Sequence, residues 1–193
     1  CGFKSKKWQE IHHRDNDHTN NDRDNLVTVC PLCHIVFHIG FAGYKQQGRL
    51  IFIDPQIGIE QADLNNLVRA LWIYETIQKD SHDSAISGML ERIKNYSIVA
   101  HMKLSSSDPS ILAEHMMTRM TDDVYERRGE IFKGFLMFPN KEAFPKQIEY
   151  WAKNEFAQAK SWRDMSMSNL KKWSENDYGN SGLSSIQQLW NDQ

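Results

Sequence analysis

The sequence predicts an α+β protein, with a small ββα head at the N-terminus followed by a mainly α-helical body. Three observations predict it. Cys30-Pro-Leu-Cys33 lies between a β-prone run and histidines at helical spacing. From residue 60 onward, apolar residues recur at i, i+3 and i+4, the period of helices that bury one face. The 193 residues include nine Phe, six Trp and six Tyr, enough to bury a sizeable core.

Residues 8–12, Trp-Gln-Glu-Ile-His, read as a short strand with partial alternation. Residues 14–24 are almost wholly polar, with Asp-Asn-Asp and Asn-Asn, and read as a loop. Residues 26–29 are β-prone. Pro31 suits the first turn of a helix that carries His34, Ile35, Phe37 and His38. Gly40, Gly43 and Gly48 mark a flexible turn, and Leu50-Ile-Phe-Ile53 before Asp54-Pro55 is a strand with a stop. Between residues 60 and 79, Leu64, Leu67, Val68, Leu71 and Trp72 lie on one helical face. A second helix is expected over 83–103, with a break near Asn95. Asp108-Pro109 caps a third, through Ile111, Leu112, His115, Met116 and Met120. Asp122-Asp123 begin another that ends near Gly134. Phe138-Pro139-Asn140 reads as a turn. Residues 144–160 are helical, with Ile148, Trp151, Ala152 and Phe156 in contact positions. The predicted division is residues 1–58 for the head and its following strand, 59–162 for the helical body, and 163–193 for a polar tail. That tail is read as either a docking helix or a mobile end.

Composition narrows the function. A net charge of −2 gives no overall basic field and argues against a surface wholly devoted to nucleic acid. Lys4, Lys6, Lys7, Arg14 and Arg23 still place a basic patch around the histidines. No apolar run approaches the ~18 residues of a membrane helix and no signal peptide is visible, so direct membrane insertion is not expected. Three cysteines, two of them in Cys-x-x-Cys beside histidines, fit metal ligation in a reducing compartment better than a disulfide framework. The expected location is cytoplasmic.

Cys30 and Cys33 place two thiolates on a tight turn at a helix start, close enough to share one tetrahedral Zn²⁺. Cys1-Gly2 has the look of the second half of another Cys-x-x-Cys, because a glycine permits the reverse turn of a zinc knuckle. The fourth ligand is then expected three positions before Cys1. The plain alternative makes these cysteines small buried residues. A ββα unit this small cannot hold itself together by core alone, which gives a structural zinc a reason to be there.

Glu10-Ile-His12-His13, Asn20-Asn21, Asn25 and Cys33-His34 together resemble the HNH version of the ββα-metal nucleases over roughly residues 1–38. The resemblance implies that His12 and His34 bind a divalent metal, with His38 as a further candidate ligand. It implies His13 as general base and Asn25 as the residue that orients the base and the loop. The residue types suit the chemistry. Phosphodiester cleavage needs a base for water and a cation, Mg²⁺ or another divalent metal, on the phosphate. Imidazole titrates near neutrality, and an asparagine carbonyl can fix its tautomer. The bland alternative makes the histidines remnants in a fold kept for its zinc-bound shape. His18, His82, His101 and His115 lack a second ligand at metal spacing and read as ordinary surface or helix residues.

A second likeness covers more of the chain. Gly40-Phe-Ala-Gly43-Tyr44, Gly48-Arg-Leu-Ile-Phe-Ile-Asp-Pro55, Gln61-Ala-Asp-Leu-Asn-Asn-Leu-Val68, Ser107-Asp-Pro-Ser-Ile111, Phe138-Pro139 and Phe144-Pro-Lys-Gln-Ile-Glu-Tyr-Trp-Ala152 resemble the IcmJ/DotN family. This family is an accessory component of type IVB secretion and related conjugation systems. The resemblance covers about residues 1–157 and implies a zinc-bound, HNH-like head on a helical body. It also implies binding to the cytoplasmic tail of the coupling ATPase, at the inner-membrane coupling complex. The family keeps the cysteines and lacks histidines at the catalytic positions, whereas this sequence carries all of them.

Three functions are therefore in view. The favoured one is a zinc-stabilised accessory protein that binds the coupling ATPase, with Trp72, Met116, Met117 and Trp151 lining a groove or else forming plain core. The alternative is a metal-dependent HNH endonuclease on DNA, with His13 as base. A zinc-dependent nucleic-acid-binding module without cleavage ranks last.

Overall fold

The computed structural model describes residues 1–77 and 84–155. Lys79, His82, Asp83, the helical extension over 156–160 and the tail at 163–193 lie outside the described residues. The described fold is α+β, with two small antiparallel sheets and a mostly helical body.

Strand β1 (Glu10–His13) pairs antiparallel with β2 (Leu26–Val29), with His12 opposite Val27 and His13 opposite Leu26. Trp8 sits at φ 64°, outside the extended region, so the strand begins two residues later than its sequence suggests. Helix α1 (Pro31–Phe37) follows at once, with Pro31 in its first turn as expected. Seven residues make too short a helix to persist by itself, so its position comes from Leu32 and Ile35, which are buried in the common core.

The glycines after α1 do not make a flexible turn. Gly40 and Gly43 lie inside a second short helix, α2 (Ile39–Tyr44). A side chain at Gly40 would meet the Ala113 Cβ at 3.0 Å, and one at Gly43 would meet the Ser110 backbone nitrogen at 2.4 Å. The glycines are there for close approach to a neighbouring helix rather than for bending.

Strand β3 (Gly48–Phe52) pairs with a partner far downstream. Between them run α3 (Gln61–Ile77), α4 (Ser84–Leu104), α5 (Pro109–Arg119), α6 (Asp122–Glu126) and α7 (Arg128–Ile131). Helix α4 continues through Asn95 without the expected break. The cap of α5 is as read: Asp108 accepts from the Ser110 N–H at 2.8 Å and Pro109 stands in the first turn. Strand β4 (Phe135–Pro139) occupies what the sequence suggests is a turn. Its Pro139 lies opposite Gly48 at the end of the ladder, where a missing N–H costs little. Helix α8 (Pro145–Asn154) closes the described chain.

Helix α3 is the centre of the molecule. Every residue from Leu64 to Tyr74 is buried, so the helix is covered all round rather than on one face. Leu32 and Ile35 of α1, Leu50 and Ile51 of β3, Met137 of β4 and Ile148 and Trp151 of α8 belong to the same core. Trp72 and Trp151 are buried in the core, Trp72 also touching a small cavity beside Glu75 and Lys141, whereas Met116 and the 84% exposed Met117 line a groove. No described helix is long and apolar enough to cross a membrane.

The glycine packing gives a direct expectation. Gly43→Ala forces a methyl group into the α5 backbone and lowers unfolding free energy by about 1–3 kcal/mol. Gly88→Ala in α4, with nothing within 4 Å of the added carbon, raises it by up to about 1 kcal/mol. Urea midpoints of the two variants, moving in opposite directions, check this.

Candidate metal centres

Cys1, Cys30 and Cys33 come together, with ligand atoms all within 4.8 Å of one another. Gly2 stands at φ 73°, the left-handed turn that a knuckle requires and that glycine adopts without steric cost. Cys30 precedes α1, and its carbonyl accepts from the Cys33 and His34 N–H groups, both at 2.9 Å, which holds the Cys-x-x-Cys turn closed. Tetrahedral Zn–S bonds of ~2.3 Å put two sulfurs about 3.8 Å apart. Cys1 Sγ and Cys30 Sγ stand 3.7 Å apart. The donor set and its spacing fit a thiophilic divalent metal.

The electrostatics agree. The Cys33 thiol is held down to about 5, chiefly because Cys30 hydrogen-bonds to its thiolate, with help from the Asn65 amide and against the cost of burial. The same hydrogen bond and burial push Cys30 up. A divalent ion bound by these sulfurs would displace the thiol protons that remain.

Three polar residues on α3 complete this site, and sequence reading misses all of them. Asn65 donates to Cys33 Sγ at 3.3 Å and to the Leu32 carbonyl at 3.1 Å. Asn66 donates to the Cys1 carbonyl at 3.0 Å. Arg69, only 2% exposed, donates to Cys30 Sγ at 3.0 Å, to Cys1 Sγ at 3.7 Å and to Asn66 Oδ1 at 2.8 Å. Its guanidinium lies 3.9 Å from the Phe3 ring centre and 5.5 Å from that of Trp151. Burial pushes the Arg69 pKa down, while the Cys30 and Cys33 charges push it back. The only signal in the sequence is Asn65-Asn66 and Arg69 interrupting a run of buried apolar residues.

The second cluster is His12, His34 and His38, whose ligand atoms also lie within 4.8 Å of one another. His12 comes from β1, His34 from α1 and His38 from the junction of α1 with α2. Glu10 Oε2 lies 2.5 Å from His34 Nδ1, a carboxylate behind an imidazole that leaves Nε2 as the ligating atom. Phe37 stacks on His12 with ring centres 4.1 Å apart. Burial, followed by the neighbouring histidines, lowers the pKa of both His12 and His38, so both rings are neutral near pH 7. His12 Nδ1 is buried and has no hydrogen-bond partner among the described residues. Three imidazoles, one with an orphaned nitrogen, fit a borderline ion such as Zn²⁺, Ni²⁺ or Co²⁺ better than Mg²⁺, which prefers oxygen.

His13 neighbours this cluster without joining it. Its Nε2 is 3.4 Å from Asn21 Oδ1, and its ring is 5.0 Å from that of His18. His18, an ordinary loop residue by sequence, thus stands between His13 and His38, with its ring 6.4 Å from the latter. Asn25 is buried and works on the loop: its Oδ1 accepts from the Asp15 N–H at 3.1 Å, and its Nδ2 donates to Asp15 and to the Asn20 carbonyl. The asparagine at the His13 ring is Asn21, not Asn25. His101 and His115 are exposed on helices α4 and α5.

A groove of about 1220 Å³ begins at His12, Arg14 and His38 and runs past Phe41 and Met117 to Arg128 and Lys133. The cysteine cluster lies outside it, beside a smaller cavity of about 520 Å³. The two clusters thus open onto different cavities and differ in donor type.

The histidine shifts set a pH dependence. His12 and His38 titrate lower in the folded protein than at their ordinary value of 6.5, so the unfolded chain takes up protons first as pH falls. With metal chelated, stability is full above about pH 7 and declines as pH drops through about 6.5 towards the folded values. The double variant His12→Gln/His38→Gln has a shallower slope of urea midpoint against pH over that window. An unchanged slope contradicts the assignment.

No protein-family model matches the chain. Over 157 residues the chain is 33% identical to the type 4 apparatus protein DotN of Legionella pneumophila, an alignment that takes in 79% of this chain and 71% of DotN. A relationship at that identity and coverage runs well beyond the head and through the helical body. The chain belongs to the DotN family.

Proposed function

We propose that the protein is a component of a type IV secretion apparatus, stapled by a structural zinc and docked on the cytoplasmic tail of the coupling ATPase. Its place is then the cytoplasmic side of an inner-membrane coupling complex. The observation that carries this reading is the 33% identity to DotN over 79% of the chain, which is too long to reflect a shared metal head alone. Cys1, Cys30 and Cys33 would hold the zinc, which supplies cross-linking of the head and no chemistry. In this reading residues 1–58 form the stapled head and 59–162 the docking body. Co-expression with the tagged tail of the coupling ATPase tests the partner. A stoichiometric complex that survives gel filtration is expected, and no complex at micromolar concentrations sinks the partner assignment.

A second reading has its own observation. His12, His34 and His38 converge with Glu10 behind His34, and His13 and Asn21 stand beside them. We infer that the head retains an HNH-like arrangement able to cleave DNA phosphodiesters. A divalent ion held by the three histidines supplies positive charge to the phosphate when bound. In this reading His13, whose Nε2 lies 3.4 Å from Asn21 Oδ1, would be the base that takes a proton from water. Incubation of supercoiled plasmid with the purified chain and Mn²⁺, Ni²⁺, Co²⁺, Zn²⁺ or Mg²⁺ decides it. Nicking that falls at least about 100-fold in His13→Ala, with zinc content unchanged, supports this reading. No cleavage with any metal removes it and leaves the docking function standing.

A further inference from the structure

Arg69 is a cation wholly withdrawn from water that forms no ion pair with a carboxylate among the described residues. Its neighbours are two cysteine sulfurs, the Asn66 amide oxygen and the faces of Phe3 and Trp151. Its Nε has no acceptor among the described residues. Aromatic faces and one amide do not balance a full charge in a low-dielectric interior, so the negative charge that opposes Arg69 has to come from the sulfurs.

We propose that Arg69 is the counter-charge of an anionic metal–thiolate centre at Cys1, Cys30 and Cys33, and that through it metal occupancy holds α3 against α8. This inference rests on the structural-zinc reading above. A divalent ion with three thiolates carries one net negative charge, and with a fourth thiolate two. The guanidinium cancels one of these across hydrogen bonds to Cys30 and Cys1. The same guanidinium stacks on Phe3, in the segment that carries Cys1, and reaches the Trp151 ring of α8. Asn66 ties the arrangement together by accepting from Arg69 and donating to the Cys1 carbonyl. Removing the ion takes away the ordered anionic cage in front of a buried charge. States in which α3 parts from the sulfurs or from α8 are then favoured, because they let water reach the guanidinium. Arg69 is thus a positioning residue for the metal and a mechanical link from head to body.

The test uses the full chain with Zn²⁺ and Co²⁺ as probes. Thiolate-to-Co²⁺ charge-transfer absorption reports ligation, and competition with a chromophoric chelator reports Zn²⁺ affinity. Hydrogen exchange of α3 and α8, with and without chelator, reports the link. In the wild type, chelation is expected to speed exchange in both helices. Arg69→Met is expected to lower Zn²⁺ affinity about 10- to 100-fold and to remove most of the chelator's effect on α8. If Arg69→Met does not fold, Arg69→Lys decides, since it keeps the charge and loses the forked N–H···S geometry; a tenfold loss of affinity is expected. Unchanged affinity in the folded variant, with α8 still responding to chelator, overturns the proposal while leaving the zinc site intact. Absence of any thiolate charge-transfer band in the wild type overturns the zinc reading, and this proposal with it.

Discussion

A charge held inside the protein by α3 sets the terms for everything around it. Keeping Arg69 away from water costs several kcal/mol unless anions and hydrogen bonds oppose it. The surface pairs of the body are of another order. Lys94–Glu91 and Lys153–Glu149 are largely solvated and contribute about 0–1 kcal/mol each. Arg69 therefore outweighs them in deciding where α3, the N-terminal segment and α8 can sit. The sulfurs must face α3, Phe3 must cover the guanidinium, and Trp151 must close the other side. The apolar core supplies the gross stability by burying Leu64, Leu67, Leu71 and their partners, but it is compatible with many packings. The buried charge selects among them.

Helix α1 shows how one short element serves two chemistries. Successive residues on a helix point about 100° apart, so Cys33 faces Asn65 on α3 while His34 faces Glu10 on β1. Leu32 and Ile35 fix the helix in the core between these two directions. The cysteine cluster consequently packs against α3 and lines the smaller cavity, and the histidine cluster opens onto the large groove. A change in the seating of α1 moves both sites together. A change in α3 reaches the thiolates first.

Legibility in the sequence follows contact range. The head is readable because its candidate ligands lie within 38 residues and are chemically distinctive, so Cys30 and Cys33 lie together, as do His12, His34 and His38. The 26–29 strand, the proline start of α1 and the Asp108 cap depend on neighbours in sequence and are equally plain. Strand β4 is not, because Phe135-Leu-Met-Phe has no period of its own and its pairing with β3 spans the helical body. Gln61 is hidden for the same reason: its side-chain amide makes hydrogen bonds of 2.7 and 2.8 Å to the Met137 backbone. Gly40 and Gly43 carry the usual marks of a turn, and only the approach of α5 gives them their other meaning. Asn65, Asn66 and Arg69 are opaque for a different reason. A polar residue within a helix looks solvent-facing until the partner that needs it is known.

Family membership settles the body more firmly than it settles the histidines, since identity to a relative concerns descent and not turnover. Physical chemistry weighs on the histidines independently. If they were remnants, imidazoles would drift to exposed or hydrogen-bonded positions, because an unsatisfied buried polar atom costs about 1–3 kcal/mol. Instead His12 is 7% exposed, lies under Phe37 and has an orphaned Nδ1, while two further rings converge on it and a carboxylate backs one of them. Burial holds His12 and His38 below the ordinary imidazole range, and the three rings bring their nitrogens together in a geometry suited to a cation. The proposed docking of the body and a metal at the histidines would be compatible, because the two use different parts of the chain. Under the docking proposal the histidines would be dispensable, whereas the cysteine cluster and Arg69, which hold the N-terminal segment to α3, would be needed for either function.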